Sequence, residues 1–384
     1  MGSVVLNLRQ EADARDAIHH AVEAISAGKL VVLPTDTVYG IACSALNADA
    51  ISRLVEMVEK PLKTPLSYCV KSEADALDYA PDISPLARRL ARRAWPGPLT
   101  LVLPGPHPDS VIQRIPESAR NLLQHEMGIG LRVPNHPVIE QVHRLTAGPL
   151  ILARAAANGQ PDCVTGEEVF QQIGEKVSLI LNDGKCRFAQ PSTIARITGN
   201  RLEIIRPGVL DEVSLKRMSQ VNILLVCTGN TCRSPMAEGL LKKKLGNLKA
   251  CPSDHLEENG FRVTSAGIAA MPGGGPADEA VEVMHVSGIE ISDHRTQTLN
   301  DRLVNEADLI LTMTNSHRQM VVSQWPTAGN RVHLLGRGQG DIFDPIGMPM
   351  EYYEACAQQI DHHLNWWLNE HSLFKSDQPK GNSG

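Results

Sequence analysis

At residue 221 the chain turns abruptly apolar. Val221-Asn222-Ile223-Leu224-Leu225-Val226 reads as a strand. It runs without a spacer into Cys227-Thr228-Gly229-Asn230-Thr231-Cys232-Arg233-Ser234-Pro235, where the proline suits the first turn of a helix. Strand, short loop and helix start in direct succession leave few architectures open. Further strands are expected near 262–264, 308–311 and 332–335 with helices between, a spacing that predicts a parallel sheet of βαβ units. A final helix at 350–369 would put Cys356, Ile360, Leu364 and Trp367 on one face.

The junction also points to a chemistry. A helix N-terminus offers unpaired backbone N–H groups and the positive end of the helix dipole, and together these make an anion site. The same field lowers a thiol pKa, and the thiolate is the attacking form of cysteine. Cys227 is therefore the candidate nucleophile. Arg233, six residues on, can return a planar fork of donors that holds two phosphate oxygens. Ser234 can hydrogen-bond the thiolate, and Asn230 tolerates the left-handed backbone of a tight loop. Thr228, Gly229, Thr231 and Cys232 complete the phosphate loop. Asp344-Pro345, ahead of the last helix, supplies a carboxyl that can protonate a leaving group. The expected route is attack on phosphorus, then hydrolysis of a phosphocysteine, with Asp344 as acid and then as base. It calls for no metal, because Arg233 and the backbone amides meet the transition-state charge.

These motifs, with Ser265-Ala266-Gly267 and Ala307-Asp308-Leu309-Ile310-Leu311-Thr312-Met313 between them, resemble the low-molecular-weight protein-tyrosine-phosphatase family over residues 221–369. The resemblance implies a flavodoxin-like parallel-sheet phosphatase domain at 221–370 acting on a phosphorylated protein. Two details bear on which phosphate. Tyrosine-directed members usually carry two tyrosines right after the Asp-Pro; here Ile346-Gly347 follow, and Tyr352 and Tyr353 at the helix start are expected to lie too far away. Tyrosine-directed members often have an aliphatic residue at the position of Thr231. The string from Cys227 to Glu238 is similar instead to that of bacterial protein-arginine phosphatases. Phosphoarginine is the favoured substrate on this resemblance, and phosphotyrosine or a small phosphate ester the alternative. Cys232 has two readings: a thiol that captures oxidised Cys227 as a disulfide, or a small apolar filler.

A chain of 384 residues has room for two or three domains. Residues 1–210 alternate apolar runs, turns and helices and read as α/β, beginning with a helix at 12–27 and an apolar run at 30–33. Residues 211–220 are polar and expected to form a linker, and 371–384 a disordered tail. Pro34-Thr35-Asp36-Thr37-Val38-Tyr39-Gly40 resembles a signature of YrdC-type threonylcarbamoyl-adenylate synthases. Trp95-Pro96-Gly97-Pro98-Leu99-Thr100, Gly130-Leu131-Arg132-Val133-Pro134, Pro191-Ser192-Thr193 and Ile205-Arg206-Pro207-Gly208 are similar to that family as well. The resemblance implies a YrdC-like twisted α/β sheet around a deep concave site, with ATP and threonine as ligands and tRNA modification as the outcome.

The site strings depart from that pattern. The family's Lys-x-Arg-Pro is Val58-Glu59-Lys60-Pro61 here, and its Ser-x-Asn is Arg154-Ala155-Ala156. A synthase that orients ATP needs several cations and hydroxyls. Thr35, Lys60, Arg132, Arg154, Ser192 and Arg206 are the candidates that remain. Two readings stay open: a synthase with a rearranged site, or a degenerate module that binds a ligand or RNA, the second being favoured.

The net charge of −6 excludes a global basic field for nucleic acid. Arg88, Arg89, Arg92 and Arg93 on a predicted helix are either a local patch for tRNA phosphates or, more commonly, a solvated face. No apolar run approaches membrane-spanning length, and no secretory leader is visible. The eight cysteines are scattered, unlike a secreted disulfide framework. A soluble cytoplasmic protein is expected. His19-His20 and His362-His363 read as surface residues, and no metal site is expected.

Overall fold

The computed structural model of the chain describes residues 3–9, 14–58, 62–371 and 373–374. It divides into two compact units, Met1–Met218 and Ser219–Gly384.

The first unit is built on one mixed sheet. Among the described residues its strands are β1 (Val4–Asn7), β2 (Val31–Leu33), β3 (Gly40–Ser44), β4 (Ser67–Cys69), β5 (Leu99–Leu103), β6 (Ile129–Arg132), β7 (Leu150–Arg154), β8 (Leu179–Asn182), β9 (Thr193–Thr198) and β10 (Arg201–Arg206). They lie in the order β1-β8-β2-β3-β7-β4-β6-β5-β9-β10. Helices cover both faces, so the inner strands read as unbroken apolar runs. Successive side chains still alternate between faces: Val31, Leu33 and Ala42 enter one core, while Val32, Ile41 and Cys43 enter the other. The helix predicted at 12–27 runs Ala14–Ser26, and residues 12–13 lie outside the described chain.

The arginine-rich helix, Pro85–Ala94, starts with Ser84 accepting from the Ala87 amide and with proline in its first turn. It does not present four arginines to solvent. Arg89 is buried and the Arg93 guanidinium donates to the Met218 carbonyl at 2.6 Å, leaving Arg88 as the exposed member of that pair of turns. The stretch 211–220, read as a linker, contains a helix, Glu212–Ser219. Its Leu215 is fully buried in the first unit's core, an anchor that a polar average conceals.

Among its described residues the second unit carries four parallel strands: β11 (Val221–Cys227), β12 (Phe261–Gly267), β13 (Leu309–Thr312) and β14 (Val332–Leu334), ordered β12-β11-β13-β14. The four predicted strands are all present, in register Val226 to Ala266 and Leu225 to Leu311. Because β11 is flanked by β12 on one side and β13 on the other, the connections leave its carboxyl end in opposite directions. That is where an open parallel sheet forms its ligand crevice. Ile223, Leu225 and Cys227 face one core, Leu224 and Val226 the other. The last helix, Met350–Glu370, buries Cys356, Ile360, Leu364 and Trp367, as its periodicity predicts. It also buries His363, half of a pair read as surface, because that position falls on the same stripe. Phe374 is buried too and stacks on Phe261 with ring centres 6.3 Å apart, so the ordered chain extends into the segment read as tail; residues 375–384 lie outside the described chain. Among the described residues no helix is long and apolar enough to cross a membrane.

The indole of Trp367 is buried and donates to the Leu335 carbonyl at 3.0 Å, joining the last helix to the end of β14. Trp367→Ala should cost about 3–5 kcal/mol of the second unit's stability, measured by urea unfolding followed by circular dichroism. A loss below about 1 kcal/mol would contradict this role for the helix.

Candidate functional site

Cys227 ends β11, at the carboxyl end of the central strand, and is almost wholly buried. Its sulfur lies 3.0 Å from the Ser234 hydroxyl and accepts from the Asn230 amide at 3.2 Å. The helix Arg233–Lys249 begins immediately after the loop. Its cap residue, Cys232, makes no side-chain bond to the first turn, so those amides lack their usual partner and suit an anion.

The loop is shaped by Asn230, whose φ of 58° lies in the left-handed region. Its side-chain amide donates to Ser234 Oγ and Ser265 Oγ, each at 2.9 Å, and its Oδ1 accepts from the Gln297 amide at 2.9 Å. Ser265 in turn donates to Glu238 at 2.6 Å, and the His294 ring lies 3.0 Å from the Asn230 carbonyl. Gly267, at the end of β12, must be glycine. A Cβ there would meet the Thr228 carbonyl at 2.5 Å and the Asn230 amide at 3.0 Å. Gly229 is half-buried beside the Thr231 hydroxyl.

Arg233 is buried, and its guanidinium is hydrogen-bonded to the half-exposed Asp344 carboxylate and, at 3.4 Å, to the Ile342 carbonyl. Cys227, Arg233 and Asp344, the residues expected to act as nucleophile, cradle and acid, are thus brought to one loop. Cys232 is buried, its thiol 3.5 Å from Thr231 Oγ1 and 3.7 Å from the Tyr353 hydroxyl, and burial raises its pKa. Tyr353 is therefore not remote: one turn into the last helix, it packs against Cys232. Tyr352 pairs with Phe343 beside Asp344, rings 5.9 Å apart and both partly exposed. Sequence distance misjudged both tyrosines because the 341–349 loop folds back along the last helix, where Gln359, more than two turns in, binds the Phe343 amide and the Asp341 carbonyl.

Thr35, Arg132, Arg154, Ser192 and Arg206 line a single cavity of about 380 Å³ in the first unit, together with Lys63, Thr100 and Asp162. Lys60 lies outside the described residues. Two of the guanidinium groups already have carboxylates: Arg132 binds Asp36 at 2.8 Å, and Arg154 lies 3.5 Å from Asp162. Arg206 donates to the Ser192 carbonyl at 2.8 Å and to its hydroxyl at 3.1 Å. Burial lowers the pKa of both Arg132 and Arg206, with Asp36 opposing the shift at Arg132. Sequence reading missed Lys63 and Asp162, which stand outside its motifs. It also missed His317, whose ring lies 2.9 Å from the Thr228 hydroxyl and which no local pattern marks.

Comparison with known proteins follows the two units. The Sua5/YciO/YrdC family model, described as telomere recombination, matches residues 23–208, and the model of low molecular weight phosphotyrosine protein phosphatases matches 222–378. The chain is 41% identical over 148 residues to "Probable low molecular weight protein-tyrosine-phosphatase EpsP" of Ralstonia nicotianae, covering 38% of this chain and 92% of that one. It is 36% identical over 143 residues to the protein-arginine-phosphatase of Geobacillus stearothermophilus, covering 36% of this chain and 88% of that one. Over 223 residues it is 30% identical to the threonylcarbamoyl-AMP synthase of Mus musculus, covering 56% of this chain and 75% of that one.

The contacts at Gly267 carry a prediction. Gly267→Ala should push the Thr228–Asn230 backbone out of place and weaken inorganic-phosphate binding, measured by calorimetry. The expected loss is roughly tenfold, the worth of one displaced charge-assisted hydrogen bond. Unchanged affinity would mean that β12 does not shape the loop.

Proposed function

The chain belongs to the Sua5/YciO/YrdC family in its first half and to the low molecular weight phosphotyrosine protein phosphatase family in its second. From that premise we propose that the second unit hydrolyses phosphoarginine in proteins through a phosphocysteine. The first unit, on this reading, is a degenerate module that binds a ligand or RNA.

The carrying observation is the convergence at Cys227, whose sulfur meets a loop amide and the Ser234 hydroxyl while Arg233 is held at the Asp344 carboxylate. The thiolate attacks phosphorus, and Arg233 and the amides stabilise the equatorial oxygens. Asp344 protonates the departing atom and then takes a proton from the water that hydrolyses the intermediate. This route needs no cofactor or metal. Thr231 supports the choice of phosphoarginine: its half-exposed hydroxyl can hydrogen-bond near a leaving nitrogen, as an aliphatic side chain cannot. The similarity to a protein-arginine-phosphatase adds support. The exposed Phe343–Tyr352 pair beside Asp344 favours the other reading, phosphotyrosine, since an aromatic wall suits an aromatic ring.

In the first unit, Arg132 and Arg154 are compensated by Asp36 and Asp162, and this supports a module that no longer clamps a triphosphate. The alternative is a threonylcarbamoyl-adenylate synthase that takes ATP and threonine and serves tRNA.

Phosphate release from phosphoarginine and phosphotyrosine peptides, measured side by side, should favour phosphoarginine and vanish in Cys227→Ser. Thr231→Ile should lower kcat/KM for phosphoarginine by roughly tenfold, the scale of one hydrogen bond to a charged group, and spare phosphotyrosine. A phosphotyrosine preference would keep the mechanism and discard the substrate. Pyrophosphate release that depends on ATP and threonine should stay at background; turnover above it would restore the synthase reading.

A further inference from the structure

His317 lies in the first turn of the helix Asn315–Gln324, where the Thr314 hydroxyl caps its backbone amide at 3.2 Å. The ring is 7% exposed, and its Nε2 lies 2.9 Å from the hydroxyl of Thr228, the residue that follows the nucleophile. Its Nδ1 is buried and without a partner. Thr228 itself is exposed at the rim of the loop.

A neutral imidazole carries one proton, and its position follows from satisfaction. With the proton on Nδ1, a buried N–H would be stranded, a state that native structures rarely hold, whereas a bare acceptor is tolerated more often. The proton therefore belongs on Nε2, where it has Thr228 Oγ1 as acceptor. The doubly protonated ring is worse still, since it would strand the Nδ1–H and add a charge. Burial, and then the charge of Arg233, hold the ring's pKa below its usual value, against the weaker opposing pull of Asp344 and Asp341. Once Thr228 Oγ1 accepts from His317, its own proton cannot point back at the ring. It is left to point elsewhere, and the exposed side of Thr228 is the mouth of the loop.

We propose that His317 is a positioning residue that presents the Thr228 hydroxyl as a hydrogen-bond donor to the phosphorylated side chain. This rests on the phosphatase reading of the loop and adds a donor that the loop sequence alone does not identify.

Two measurements on the full chain test it. With histidine labelled in its ring nitrogens, NMR at neutral pH should show His317, assigned by its absence in His317→Gln, as protonated at Nε2 and bare at Nδ1. Protonation at Nδ1 would overturn the proposal. In turnover of para-nitrophenyl phosphate, Thr228→Val and His317→Leu should each lower kcat/KM by roughly tenfold. Because the histidine acts through the threonine, the double variant should lose no more than either single one. His317→Gln, which can still donate at that distance, should retain most of the rate even if His317→Leu is poorly folded. Multiplying losses alongside Cys227-dependent turnover would sink the role of His317 and leave the phosphatase reading standing. Absence of any Cys227-dependent turnover would sink both.

Discussion

The hydrogen bond from the Asn230 side chain to Ser265 fastens the loop to the strand beside it, and the second unit's chemistry depends on that attachment. A loop that must aim its amides at one point has no regular structure to hold it. Asn230 supplies the hold from within. Its left-handed backbone turns the chain back toward Cys227, and its side chain reaches Ser234 on the helix and Ser265 on β12. The missing side chain at Gly267 is the other half of the device, because it lets the strand end approach the loop backbone. The sulfur, the helix start and Arg233 then fall into place from covalent connection alone.

Much of this was legible because the informative residues are contiguous. The proposed nucleophile, loop and cradle arginine lie within Cys227–Arg233, and the apolar run before them could be little other than a central strand. Asp344, the proposed acid, was singled out by its proline and its place before the last helix, and it lies at Arg233. The tyrosines were not. Tyr353 reaches Cys232 through a side chain on the buried face of a helix, and Tyr352 reaches Phe343 because a loop folds back. Neither depends on sequence distance. His317 was illegible for a related reason: its partner lies 89 positions away, joined only by the packing of β11 beside β13.

Averages misled where one residue mattered. The segment before β11 is polar overall, yet Leu215 suffices to pin its helix to a core. Four arginines at positions that share one helix face suggested a single patch, yet Arg89 on that face is buried while Arg88 is exposed. In the first unit's cavity the described candidates, Thr35, Arg132, Arg154, Ser192 and Arg206, do converge, and what sequence could not reveal is their pairing. Asp36 lies against Arg132 and Asp162 against Arg154, so both guanidinium groups are paired within the chain.

The central claim is that Cys227 itself carries the phosphoryl group during turnover. Rapid quenching of the full chain with a phosphorylated peptide, followed by mass spectrometry of the fragment spanning the loop, tests it most directly. The account predicts a phosphoryl group on Cys227 that appears before steady state and is absent in Cys227→Ser. Turnover with phosphate released and no phosphoryl group ever found on Cys227 would contradict it.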